Sequence, residues 1–322
     1  MASRILASLF SAAMLCLATD THAQDYPSKP IRFIVPLPPG NAADILARLI
    51  GEKLSVALGQ PLVVENRPGA GGSLGADVVA KGPADGHLML YANTGLAINP
   101  GLYKSLPYDT AKAFAPVINM VQIPNFILVS EDVPANTLTD FIKLAKASPG
   151  KLNYASPGNG TFPHLAIELF RLHSGINVVH IPYKGAAAAL QALVTKDVQL
   201  LSNDLLTALP HVKTGRLKAL AITSTTRSPA APDVPTMAEA GLKDYAAVGW
   251  QGVMVAAGTP APIVSRLNAE ISKVLADPAL RERFASQGLE VVAGTPQQFG
   301  EFFRRDMERW RDAVTASGAK LD

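Results

Sequence analysis

Short apolar runs typical of buried strands alternate with longer amphipathic runs along this chain, and this alternation constrains the fold more than any other feature. The longer runs place apolar residues at three- and four-residue spacing, as helices require. The strand-like runs are residues 31–35, 62–65, 87–91, 126–129, 152–155, 178–181, 198–201, 219–222 and 252–256. The helical runs are residues 42–58, 138–147, 163–173, 186–195, 262–275 and 296–316. Such alternation predicts an α/β fold built on largely parallel sheets.

The chain is long enough for more than one hydrophobic core. It has 322 residues, and a single core rarely organises more than about 250–300. Prolines interrupt the pattern at Pro134 and again within residues 227–235. We therefore predict two lobes, with crossings near residues 121–126 and near the segment 227–235. Lobe 1 then comprises residues 24–124 and 236–322, and lobe 2 comprises residues 125–235.

The first 23 residues predict a secretory signal peptide. Arg4 precedes an apolar stretch over residues 5–18, and Thr21-His22-Ala23 ends in the small residues that signal peptidase accepts. We predict cleavage after Ala23 and a periplasmic mature protein. Cys16 would leave with the signal, and no later apolar segment reaches the length needed to cross a bilayer.

Composition and motifs exclude several classes of function. Charged residues make up 17% of the chain and the net charge is +3, without the clusters of basic and aromatic residues that nucleic-acid binding requires. We therefore expect no nucleic-acid partner. The sequence has no cysteine nucleophile after the predicted signal and no three-ligand metal motif. We expect neither catalysis nor a cofactor or bound metal.

The tripeptide Pro-Gly-Asn occurs twice, at residues 39–41 and 157–159. Each copy lies between a predicted strand and the first turn of a predicted helix. A helix start leaves backbone N–H groups unpaired and carries a partial positive charge, so it stabilises a carboxylate without an arginine. The repetition predicts two helix N-termini that face one anionic ligand in a cleft between the lobes.

Other motifs have simpler interpretations. The glycine-rich stretch 69–75 lacks the third glycine of a dinucleotide fingerprint, because Leu74 takes its place, so we interpret it as a turn entering a helix. His164 and Glu168 share a helix face without a third ligand, and we interpret them as an ordinary pair. We expect Lys184 to be solvated and Trp250 to be buried.

Six segments, taken together and in order, are more specific than any of these motifs. They are residues 31–49, 64–72, 106–109, 154–170, 180–185 and 257–262. They include Val-Glu-Asn-Arg-Pro-Gly-Ala-Gly-Gly at 64–72 and His-Ile-Pro-Tyr-Lys-Gly at 180–185. In this combination the chain closely resembles the Bug family of tripartite tricarboxylate transporter receptors. The resemblance covers essentially the whole predicted mature chain. It implies a two-lobed periplasmic binding protein of type II, with mixed sheets flanked by helices and a cleft between lobes.

The resemblance also implies a function. Members of that family close over a small organic acid, commonly a dicarboxylate, an amino acid or an aromatic acid, and hand it to membrane subunits of a transporter. We expect the same kind of ligand and partner here, and a monomeric protein. Two alternatives stay open, namely a periplasmic sensing subunit for the same ligands and, less favoured, an enzyme on this scaffold.

Family members hold a ligand carboxylate between the two Pro-Gly turns, partly through backbone amides. The resemblance assigns this role to two sets of residues: first Leu37, Pro38, Pro39, Gly40, Asn41 and Ala42, and second Ser156, Gly158, Asn159, Gly160 and Thr161. The chain departs from the family pattern at Asn41, where a second glycine is usual, and at Ala43, where Thr or Ser is usual. The identity of a relative's ligand therefore does not transfer to this chain.

Two residues of these sets have alternative interpretations. Asn41 either contacts the ligand or caps the following helix, with Asp44 as a structural partner in the first turn. Thr161 either directs its hydroxyl at the ligand or caps the second helix, where Pro163 suits the first turn.

Three further residues complete the predicted site. Tyr183 lines the cleft or packs against the core. Asn203 and Asp204 follow a strand-like run, and they either bind a hydroxyl or amine of the ligand or cap the next helix.

Overall fold

The structure is a computed structural model that describes residues 26–40, 42–243, 245, 247–286 and 288–321. Our predictions for the signal segment and for Asn41 lie outside the described residues, as does the side chain of Ala42. The strands are β1 (Ile31–Val35), β2 (Leu62–Asn66), β3 (Leu88–Asn93), β4 (Phe114–Ile123), β5 (Asn125–Ser130), β6 (Asn153–Ser156), β7 (Val179–Pro182), β8 (Leu200–Asp204), β9 (Leu217–Ile222), β10 (Gly249–Ala256) and β11 (Glu290–Val291). The helices are α1 (Ala42–Leu58), α2 (Ser73–Ala80), α3 (Thr94–Leu102), α4 (Leu138–Ala147), α5 (Phe162–Ser174), α6 (Ala186–Val194), α7 (Leu205–Lys213), α8 (Ala261–Leu275), α9 (Pro278–Ser286) and α10 (Pro296–Ser317).

The sheet of lobe 1 has six strands in the order β11-β4-β10-β3-β1-β2. β1 runs parallel to β2 and β3, whereas β10 is antiparallel to β3 and β4. Ile31, Phe33, Ile34 and Val35 of β1 are all buried, as expected for a strand whose two faces are covered by helices. The carboxyl ends of β1, β2 and β3 lie at one edge of this sheet.

The sheet of lobe 2 has five strands in the order β7-β6-β8-β5-β9. β6 runs parallel to β7 and β8, whereas β5 is antiparallel to β8 and β9. The carboxyl ends of β6, β7 and β8 therefore meet at one edge. Both sheets are mixed and flanked by helices, which confirms the predicted fold class.

Short-range sequence signals explain several helix boundaries. Thr137 accepts the N–H of Asp140 at 3.1 Å and caps α4. Thr295 and Gln298 form a reciprocal capping box at the start of α10, and Gly318 ends that helix in the left-handed conformation. These side chains satisfy N–H groups that a helix start leaves unpaired.

Strand pairing changes from the first sheet to the second at Pro124. β4 pairs with β10 as far as Ile123, and β5 begins the second sheet at Asn125. We therefore propose that the chain first crosses between the lobes at Pro124, within the segment 121–126.

The second crossing lies later than the segment 227–235. Thr236 forms a bridge with Ile222 of β9, and the Tyr245 hydroxyl donates to the Ala166 carbonyl of α5 at 3.0 Å. We therefore propose that lobe 2 extends to about residue 245 and that the chain returns to lobe 1 directly before β10.

One hydrophobic core cluster contains residues of both lobes. Leu165 and Phe170 of α5 belong to it, together with Trp250 and Trp310 of lobe 1. The Phe162 and Trp310 rings meet edge to face at 5.5 Å. The C-terminal helix α10 therefore joins the lobes by packing against α5. Trp250 is buried, as expected.

Some elements were absent from the sequence prediction. α3 contains Gly95, Pro100 and Gly101, and α7 contains Pro210, so composition alone disfavours a helix at both places. β4 contains Pro116 and shows no clear alternation. Burial against neighbouring elements overrides these local preferences.

In the described part of the chain, no helix combines the length and the hydropathy needed to cross a membrane.

Candidate functional site

The two Pro-Gly turns occupy equivalent positions in the two lobes. The first follows the carboxyl end of β1 and leads into α1, and the second follows the carboxyl end of β6 and leads into α5. Tyr183 follows β7, and Asn203 and Asp204 end β8, so they share the sheet edge of the second turn. Open α/β sheets bind ligands outside the carboxyl ends of their strands. The topology thus brings the predicted residues of each lobe to the edge where a ligand is expected.

Hydrogen bonds from and to the side chains of Asp44 and Asn66 hold the first turn. Leu37 is half-buried, whereas Pro38, Pro39 and Gly40 are exposed. The Gly40 N–H donates to Asp44 Oδ2 at 2.9 Å, and Asn66 Nδ2 donates to Asp44 Oδ1 at 2.9 Å and to the Leu37 carbonyl at 3.1 Å. The Gly40 amide is therefore engaged within the protein. The resemblance implied ligand contacts through amides of this turn, and those contacts stay a prediction.

Asp44 has the structural role that the sequence predicted. Its carboxylate is buried and also accepts from Arg48 Nε at 3.2 Å. The hydrogen bonds from Arg48 and from the Gly40 amide lower the pKa of Asp44 from 3.8 to about 2. The side chain is thus a permanent anion that fixes the first turn of α1.

The second turn closes on itself through two hydroxyl groups. Ser156 Oγ is buried and accepts the N–H of Gly158 at 3.1 Å. Thr161 Oγ1 donates to the Gly158 carbonyl at 2.8 Å and makes no cap bond to α5. The capping interpretation of Thr161 is therefore wrong, because its hydroxyl bonds backward into the turn. Asn159 is exposed at the tip of this turn.

Two stacked histidines lie beneath the second turn. His164 Nδ1 accepts the Gly160 N–H at 3.1 Å, and His180 Nε2 lies 2.6 Å from Ser156 Oγ. The two rings stack with centroids 4.0 Å apart. Burial and the neighbouring His180 lower the pKa of His164 from 6.5 to about 3, and burial also lowers the pKa of His180. The turn therefore rests on a pair of neutral rings.

An ion pair between buried Glu168 and half-buried Arg171 completes this support. The Tyr154 hydroxyl donates to Glu168, and Arg171 Nη1 donates to both Glu168 oxygens at 2.7 and 2.8 Å. Tyr154 stacks on His180 at 4.8 Å. His164 and Glu168 thus serve separate partners, and within the described ranges no set of three or more His, Cys, Asp or Glu side chains could hold a metal ion. Sequence reasoning missed the role of His180, although it lies in the His-Ile-Pro-Tyr-Lys-Gly segment.

The remaining predicted residues have identifiable structural roles. Asp204 Oδ1 accepts the Thr207 N–H at 2.9 Å and caps α7, and buried Asn203 donates to Thr207 Oγ1 at 2.6 Å. Tyr183 is half-buried, and its N–H donates to the Ser156 carbonyl at 2.9 Å. Lys184 is exposed, as expected.

The glycine-rich turn, residues 69–75, links the two Pro-Gly turns through α3. The Pro36 side chain packs over this turn, which receives a hydrogen bond from Asn99 of α3 to the Gly71 carbonyl at 3.1 Å. At the end of α3, Leu102 Cδ1 would lie only 2.6 Å from a Cβ at position 160. The stretch is a turn entering α2, as predicted, and its role is to connect the lobes by packing.

A cavity of about 420 Å³ lies between the lobes beside the first turn of α1. Side chains of α1, β4, β10 and α9 line it from lobe 1. The end of β8 and the start of α7 line it from lobe 2. The lining residues are Ile45, Leu46, Leu49, Ile123, Asp204, Leu206, Gln251, Arg283, Phe284 and Leu289. Asp204 is the predicted site residue that this cavity includes.

Comparisons with known proteins show the family to which the chain is similar. A family model described as tripartite tricarboxylate transporter family receptor matches residues 46–319. Protein BugT of Bordetella pertussis is 38% identical over 307 residues, which cover 95% of this chain and 94% of BugT.

Solved structures extend the similarity to the fold. An R. palustris protein solved with adipate has 33% identity and a TM-score of 0.76, with coverage of 92% of this chain and 100% of that one. MatC from Rhodopseudomonas palustris, solved with bound malate, has 31% identity and a TM-score of 0.71, with coverage of 90% and 100%.

Proposed function

Because the chain belongs to the family of tripartite tricarboxylate transporter receptors, we propose that it is a periplasmic receptor that binds a small organic carboxylate between its lobes. We also propose that it delivers this solute to membrane subunits of such a transporter and has no catalytic activity. Relatives solved with adipate and with malate support a ligand of this class.

One observation carries the proposal. Two Pro-Gly turns, one in each lobe, stand at the carboxyl end of a parallel strand and lead directly into a helix. The backbone dipoles of α1 and α5 favour negative charge at these two starts. The ligand-facing amides of the first turn are those at the start of α1, because Asp44 already binds the Gly40 amide.

Helix dipoles alone do not supply enough affinity. Each N-terminus contributes about 0.3–2 kcal/mol toward an anion, whereas micromolar binding requires about 8 kcal/mol. Hydrogen bonds to a desolvated carboxylate add roughly 1.5–3 kcal/mol apiece. Closure of the lobes favours both these bonds and apolar burial, since a ligand that touches both lobes makes more contacts in the closed state. The Asp44, Asn66 and histidine contacts keep the two turns preorganised, which lowers the entropic cost of binding.

Exchanging Asn159 for Asp tests the proposal. This substitution keeps the size of an exposed side chain and places a negative charge at the second turn. Repulsion of a carboxylate about 5 Å away corresponds to about 1–3 kcal/mol, or about a 5- to 150-fold loss of affinity. Isothermal titration of solute-stripped protein with malate, hexanedioate and other organic acids would measure this loss of affinity.

The matched control is Asn177→Asp. Asn177 is exposed in the same lobe but precedes β7, at the opposite edge of the sheet from the turn. We expect the Asn177→Asp protein to bind as the unmodified protein does. Equal affinities for the two aspartate variants would contradict a carboxylate site at the second turn, and a stripped protein that binds no organic acid would contradict the proposed function.

A further inference from the structure

The cavity between the lobes has properties that a carboxylate clamp alone does not require. We propose that it selects a diacid with a bulky apolar body, whose second anionic group binds Arg283. This inference rests on the proposed function, because the first acid group is held at the Pro-Gly turns. It adds to that function the part of the ligand that distinguishes one organic acid from another.

Apolar side chains face the cavity from both lobes. Ile45 of α1 is 51% exposed and Leu206 of α7 is 52% exposed, although large aliphatic side chains usually avoid water. Leu49 and Ile123 add apolar surface beside them. Isolated exposed aliphatic residues are common, but these two line one cavity from opposite lobes. A ligand with an apolar body would remove this surface from water.

Arg283 gives the cavity a cationic group that can bind an anion. The Asp204 carboxylate already accepts from the N–H and the hydroxyl of Thr207, and Gln251 already accepts from the Tyr91 hydroxyl. The Arg283 guanidinium is exposed, and no residue in the described part of the chain pairs with it. An arginine presents donors in a planar fork that matches a carboxylate.

The size of the cavity favours a large body. Its wall on α1 begins one turn after Ala42 and extends from Ile45 to Leu49, which is about 6 Å at the rise of an α-helix. The volume of about 420 Å³ lies within the range of about 300–1,000 Å³ typical of small-molecule sites. A short diacid such as butanedioate would leave much of this volume to water, whereas an aromatic diacid would displace it.

Three probes separate the contributions of body and charge. Calorimetric titration of solute-stripped protein would use benzene-1,4-dicarboxylate, benzoate and butanedioate. We expect benzene-1,4-dicarboxylate to bind at least about tenfold more tightly than either of the others, because it alone combines the apolar body with the second acid group. Butanedioate binding as tightly as the aromatic diacid would overturn the inference.

Two pairs of variants locate these contributions. Arg283→Gln should weaken benzene-1,4-dicarboxylate about tenfold and leave benzoate within about twofold, whereas Arg305→Gln should change neither. Arg305 is also exposed, lies on α10 and does not line the cavity. Leu206→Asn should weaken both aromatic acids, whereas Leu172→Asn, at a residue 54% exposed on α5, should not.

Failure of this inference is distinguishable from failure of the proposed function. If acids bind without preference for an apolar body, and Arg283→Gln has no effect, the selectivity proposal is wrong while the carboxylate receptor stands. If none of the three probes binds, and malate and hexanedioate also fail to bind, both proposals are wrong.

Discussion

His164 makes the stability of the second Pro-Gly turn depend on pH. Its Nδ1 accepts the Gly160 N–H only while the ring is neutral, since a protonated imidazole has no acceptor. Protonation would also place a positive charge against the stacked His180 ring and near Arg171, whereas Glu168 already pairs with Arg171 and Tyr154. We predict that His164→Asn, whose Oδ1 occupies the position of Nδ1, removes this pH dependence and retains an acceptor.

The magnitude follows from the pKa of His164 in the two states. That pKa is 6.5 in an unperturbed chain and about 3 in the folded protein, so between these values the folded state binds fewer protons than the unfolded state. The resulting stability is fully present above pH 6.5 and is lost as the pH falls toward 3. At about 1.4 kcal/mol per pKa unit, moving from pH 7.5 to pH 5.0 costs about 2 kcal/mol.

Urea denaturation at these two pH values measures the effect. We expect the free energy of unfolding of the unmodified protein to fall by about 2 kcal/mol more than that of His164→Asn over this interval. Asp306 contributes a dependence of opposite sign, because burial raises its pKa from 3.8 to about 6 and its stabilising contribution is lost as the pH rises through this range. That contribution cancels in the comparison of the two proteins. The same pH dependence in both would refute the role assigned to His164.

Two further predictions concern the rigidity of the turns. Asp44→Asn should lower the free energy of unfolding by about 1–3 kcal/mol, since it removes a buried anion bonded to the Gly40 amide, and unchanged urea stability would contradict this. Gly160→Ala should destabilise by about 1–2 kcal/mol more than Gly215→Ala in thermal unfolding. The two glycines have φ of 71° and 74°, but only a Cβ at position 160 meets Leu102. Equal losses of stability in the two variants would contradict this prediction, because they would show that the positive φ and not the contact with Leu102 causes the destabilisation.

Much of the fold could be predicted from residue order alone. The predicted strand 31–35 and the predicted helices 42–58 and 138–147 match β1, α1 and α4 residue for residue, because apolar spacing is a local property of the chain. The first crossing between lobes, predicted near residues 121–126, stays a proposal. The helices that contain Gly or Pro, such as α3 and α7, were missed because packing against other elements stabilises them there.

The candidate site was predictable in part. The Pro-Gly turns and Asp204 lie at strand ends, as the sequence predicted, and the structural role of Asp44 agrees with its position in a first helical turn. Capping by Asp204 is the simpler of its two predicted roles and is present. The ligand contacts of these residues stay predictions.

The amino-acid sequence by itself determined the alternation of strands and helices, the two helix starts that follow Pro-Gly turns, and the family to which these segments belong. Each depends on spacing within a few residues. Only the tertiary structure decided that His180 supports a turn made by Ser156, and that Ile45, Leu206 and Arg283 face one cavity. Those groups are far apart in the chain and meet because strand order and lobe packing bring them together, which short-range patterns do not specify.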